Sequence, residues 1–100
     1  MKIVWSPTAR RKIDEIVDYI SADNLDAAVA LVESFEERVE HLKKNPRSGR
    51  TAPALNDEMV REIVAHPNYI VVYESKNSDI VILTIRHSKQ DEDDSDIKPK

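Results

Sequence analysis

One hundred residues, 40% hydrophobic and 34% charged, are enough for one hydrophobic core and too few for two, and the balance is that of a folded globular chain. The chain has no cysteine, which excludes a disulfide framework and thiolate zinc ligation and fits a reducing cytoplasm. The net charge of −4 is uneven: residues 91–100, DEDDSDIKPK, hold five acids and two bases, leaving 14 acids and 13 bases before them, so the body has no global field to draw it to nucleic acid.

The opening MKIVWSPTARRK lacks an apolar core before a cleavage site, and no window approaches eighteen apolar residues, so neither an export signal nor a membrane span is expected. Residues 1–90 read as a single domain. Residues 91–100 are polar and without aromatics, and read as a disordered acidic tail.

In chain order, KIVW (2–5) is a short β-rich stretch. Ser6-Pro7 then starts a helix, with Ser6 as N-cap and Pro7 in the first turn, where its missing N–H costs nothing. Ala9, Ile13, Ile16, Val17 and Ile20 recur at helical spacing until Ser21–Asn24 breaks the pattern. A second helix is expected from Leu25 to about Lys44, with Ala28, Leu31, Val32, Phe35, Val39 and Leu42 on one stripe, ended by Asn45-Pro46. The short link makes the helices an antiparallel hairpin. Residues 46–59, PRSGRTAPALNDEM, hold the only glycine and read as a loop. Three strands follow, Val60–Val64, Tyr69–Ser75 and Ile80–His87, with turns at His66-Pro67-Asn68 and Lys76-Asn77-Ser78-Asp79.

The order β-α-α-β-β-β predicts an α+β fold: a helical hairpin packed on a small, largely antiparallel four-stranded sheet. If Asn77-Ser78 centres the last turn, Val72 faces Leu83 and Tyr73 faces Ile82. One face then carries Ile70, Val72, Val81, Leu83 and Ile85, and the other Tyr69, Val71, Tyr73, Ile80, Ile82, Thr84 and Arg86. Both are largely apolar, whereas an antiparallel sheet with one wet face alternates. The hairpin covers one, so the second calls for loop 46–59, another copy or a partner protein, of which a partner is favoured. Which face meets the helices stays open, since one residue more or less in the turn exchanges them.

Basic residues near the sheet are Arg47, Arg50, Arg61, Arg86 and Lys89, with His66 and His87 beside them. Metal-free RNA cleavage needs a base, a cation for the phosphorane and an acid; His87 and Arg61 or Arg86 are the candidates. His41, His66 and His87 are too scattered for a metal site, and no cofactor motif is present.

WSPTARRKIDEIVDYI, NPRSGR, VREIVAHPNYIVVYE and ILTIRHSKQ, in this order, resemble the RelE/ParE superfamily of type II toxins, the ParE branch in particular, across residues 3–90. The resemblance implies a cytoplasmic toxin with no cofactor, neutralised by a ParD-like antitoxin lying along the helices and sheet, with Ile13, Ile20, Tyr69, Val71 and Tyr73 as antitoxin contacts. DNA would be met only through the antitoxin complex. RelE-like members cut messenger RNA on the ribosome. Of their basic positions Arg61 matches here, but the others fall on Ile63, Ile70 and Ser88, and the terminal tyrosine has no counterpart. An aliphatic side chain does not stabilise a phosphorane. The implied function is therefore that of ParE-like members, which bind DNA gyrase, with Arg61, Arg86, His87, Lys89 and Gln90 as target contacts. The alternatives are a RelE-like endoribonuclease using Arg61 and His87, and a non-toxic relative that only binds its partner.

Overall fold

In a computed structural model describing residues 2–51 and 59–88, seven elements follow one another: β1 (Ile3–Trp5), α1 (Pro7–Ser21), α2 (Leu25–His41), β2 (Arg50–Thr51), β3 (Val60–His66), β4 (Tyr69–Lys76) and β5 (Asp79–His87). The expected tail 91–100, together with Lys89 and Gln90, lies outside the described residues. The sheet has five strands in the order β1-β5-β4-β3-β2. All neighbours are antiparallel except β1, which runs parallel to β5. The fifth strand is β2, two residues of the expected loop that pair with Arg61 and Glu62.

Local chemistry sets the helix starts. The Ser6 hydroxyl accepts from the Ala9 N–H at 3.0 Å and donates to the Leu83 carbonyl at 2.8 Å, so the N-cap also fastens α1 to β5. Asn24 caps α2 through the Ala27 N–H at 3.1 Å. α2 ends at His41, earlier than the expected Lys44. Leu42, Lys43 and Lys44 instead make i→i−3 bonds to Val39, Glu40 and His41, the tightened last turn common at helix ends.

Both helices lie on one face. Ala9, Leu31, Phe35, Val39 and Leu42 pack with Ala65, Val71, Tyr73, Ile80, Ile82 and Ile85. The expected register holds from Lys76–Asp79 to Tyr73–Ile82 and then shifts by one at a β-bulge, so that Val72 faces Thr84, not Leu83. The shift corrects three facial assignments. Ile85 joins the helix side, while Thr84 and Arg86 turn to the other.

That other face is less oily than two unbroken apolar faces would be. Val60 and Val72 are buried with Leu83 against them, but Glu62, Thr84 and Arg86 are buried beside them, and among the described residues of this face Val64, at 56% exposure, and Val4, at 38%, stand into solvent. The demand for a companion on this face is correspondingly smaller than the sequence pattern implies.

Candidate partner-binding site

Two of the predicted target contacts are held inward. Arg61 lies opposite Tyr73 on the helix side of the sheet and donates from Nη1 to the Gly49 carbonyl at 3.0 Å. Tyr73 completes this clamp. Its buried hydroxyl donates to the Pro46 carbonyl at 2.8 Å and accepts from the Gly49 N–H at 3.0 Å. Burial pushes the Tyr73 hydroxyl above its ordinary 10.0, against the smaller opposing pulls of the Gly49 hydrogen bond, the Arg61 charge and Ser48. A Cβ at residue 49 would meet the Glu62 carbonyl at 2.6 Å and the Tyr73 hydroxyl at 2.8 Å, so the NPRSGR segment requires glycine where it crosses the sheet. The motif's chemistry is architectural: it ties the post-helix segment to β3 and β4.

Arg86 lies on the opposite face with its side chain 8% exposed, and donates to Glu62 Oε2 at 2.7 Å. Glu62, 2% exposed, also accepts from Arg50 Nε at 2.6 Å. Glu62 was not singled out in the sequence. The available signal was an acid inside the strand VREIVAH, where burial demands a cationic partner.

The end of β5 presents a different surface. His87 meets Tyr69 edge-on, with centroids 5.3 Å apart; the Tyr69 ring also lies 5.7 Å from His66 and 6.0 Å from Phe35. Tyr69 and His87 open onto a groove of about 450 Å³, lined also by Lys12, Glu15, Ile16 and Tyr19 of α1 and by Ile85 and Arg86 of β5. Tyr19 is 81% exposed and was missed, because an aromatic at an outer helical position gives no periodic signal. Of the predicted antitoxin contacts, Ile13, Ile20 and Tyr69 are half-buried at the edge of the core. Val71 and Tyr73 are 0% exposed, on the side of β4 that the helical hairpin covers. Lys89 and Gln90 lie outside the described residues.

No group of three or more His, Cys, Asp or Glu able to hold a metal occurs among the described residues, and no helix among them is long and apolar enough to cross a membrane. A helical hairpin on one face of a five-stranded sheet, with a mixed apolar and charged groove at the end of an inner strand, defines a small two-layer α+β domain. Residues 3–92 match the family described as "ParE toxin of type II toxin-antitoxin system, parDE". The chain is 37% identical over 90 residues to "Putative toxin Y4kP" of Sinorhizobium fredii strain NGR234, covering 89% of this chain and 90% of that protein. The fold is similar to a solved structure titled "Chromosomal ParDE TA system from P. aeruginosa", with a TM-score of 0.70 and 24% identity over 87% of this chain and 95% of that one. The chain belongs to the ParE toxin family, and its setting is a type II toxin–antitoxin system.

Proposed function

We propose that this toxin acts in the cytoplasm by binding DNA gyrase and stalling it, without cleaving a bond itself, and that a ParD-like antitoxin neutralises it by occupying the groove between α1 and β5. The observation that carries the reading is the commitment of both candidate arginines to the fold: Arg61 to the Gly49 carbonyl and Arg86 to buried Glu62. A ribonuclease cation must be ready to meet a developing phosphorane, and re-aiming either group would break an internal tie. His87, beside Tyr69 at the groove, is half-buried, as Arg61 is, and lines the groove that Arg61 does not reach.

Purified toxin added to gyrase and relaxed plasmid should inhibit supercoiling, and equimolar antitoxin should restore it. Unimpaired supercoiling at excess toxin would overturn the gyrase reading. The second reading, a ribosome-dependent endoribonuclease, rests on His87 at the groove's edge. It requires new messenger RNA ends after induction that vanish with His87→Ala.

A further inference from the structure

The groove between α1 and β5 sits where the acidic segment leaves the described fold. His87 lines it, and Ser88, next in the chain, is fastened to the β3–β4 turn through its N–H to the Asn68 carbonyl at 2.8 Å and its hydroxyl to the Pro67 carbonyl at 3.2 Å. Lys12, Glu15, Ile16 and Tyr19 form one stripe of α1 along the opposite wall, spaced three and four residues apart. The charged side chains on the groove wall are Lys12 and Glu15, with the His87 imidazole at its edge; Arg86 borders the groove but turns its guanidinium to Glu62 on the other face of the sheet. Arg11 lies beside Lys12 in sequence and 3.8 Å from Glu15.

Residues 91–96, DEDDSD, carry five carboxylates in six positions and are followed by Ile97. Nine residues from Ser88 to Ile97 reach roughly 30 Å when extended, more than enough to lie along a groove that begins at the exit point. We propose that segment 91–97 of this same chain is a ligand of the groove, its carboxylates set against Lys12 and Arg11 and Ile97 against the apolar wall of Ile16 and Tyr19. The tether supplies an effective concentration on the order of millimolar, so a contact too weak to form between separate molecules is populated within one. A partner segment entering the groove displaces the tail first, which makes the tail a competitor whose strength falls with ionic strength. The inference concerns an intramolecular contact and holds whichever target the toxin has.

The natural absence of cysteine permits a direct test in the full chain. Tyr19→Cys with Ser95→Cys places one thiol on the groove wall and one amid the acids while leaving every charge in place. Under mild oxidant, this pair is expected to close intramolecularly about tenfold faster than the same pair carrying Asp91→Asn, Glu92→Gln, Asp93→Asn, Asp94→Asn and Asp96→Asn, which has the same tether and none of the five carboxylates. Lys12→Glu in the acidic version should slow closure, and 1 M salt, where the screening length is about 3 Å, should erase the difference. Equal closure rates for acidic and neutral tails, or a difference indifferent to both salt and Lys12, would overturn the proposal.

Discussion

At the scale of single residues, the sheet is held by two polar clusters that the chain's composition does not advertise. Tyr73→Phe should cost about 1–2 kcal/mol at neutral pH, because the Gly49 N–H and the Pro46 carbonyl lose a buried partner. It should also change the alkaline limb of stability. The folded hydroxyl ionises above 10.0, so the unfolded chain releases its proton first as pH rises. The stability Tyr73 supplies is therefore complete below pH 10 and is lost as pH climbs from there toward the folded value. Chemical denaturation across this range should give a shallower fall for Tyr73→Phe than for the parent chain. Glu62→Ala leaves the Arg86 guanidinium in a buried site without its carboxylate, and should cost about 3–5 kcal/mol. The double variant Glu62→Leu/Arg86→Met removes both charges, and should lose far less than the two single losses added together. Additive losses would show that the pair is not coupled.

At the scale of elements, the helices contribute unequally to the core. Phe35 of α2 is 0% exposed, and Phe35→Ala should cost about 3–5 kcal/mol. Ile16 of α1 is half-buried at the groove, and Ile16→Ala should cost only about 1–2 kcal/mol. Equal shifts in denaturation midpoint for the two would show that α1 is buried as deeply as α2. The spacing of apolar residues placed both helices and their stripes correctly, because a 3.6-residue period and an N-cap are local signals. The turn was legible for the same reason: Asn77 and Ser78 hold positive φ of 52° and 67°, as a two-residue hairpin loop requires. The bulge was not. It depends on which strand accommodates an extra residue, here Leu83, whose carbonyl accepts from the Ser6 hydroxyl, and no residue in VILTIRH announces it. One unpaired residue exchanged the faces of Thr84, Ile85 and Arg86, and with them the expected surroundings of a candidate site residue. β2 escaped for a related reason, since a two-residue strand has no period to detect.

At the scale of the whole molecule, an open groove lies along α1 and the end of β5, while Val60, Glu62, Val72, Thr84 and Arg86 at the centre of the sheet's far face are buried. Half-buried Ile16 belongs to the core on one side and to this groove on the other, so its truncation confounds folding with binding. Tyr19 separates the two. At 81% exposure it contributes little to the core, and Tyr19→Ala should leave the unfolding free energy within about 0.5 kcal/mol of the parent. If the groove receives the antitoxin, a tyrosine on its wall has the rigid, amphipathic surface of a binding hot spot. Its removal should then weaken the toxin–antitoxin complex by about 2 kcal/mol, some 30-fold in dissociation constant, mostly through faster dissociation. Calorimetric titration of antitoxin into parent and variant toxin measures the affinity, and thermal melting of the same samples measures the fold. An unchanged affinity beside an unchanged melt would move the antitoxin off the groove to another part of the hairpin, such as the exposed Leu25 and Val29 of α2.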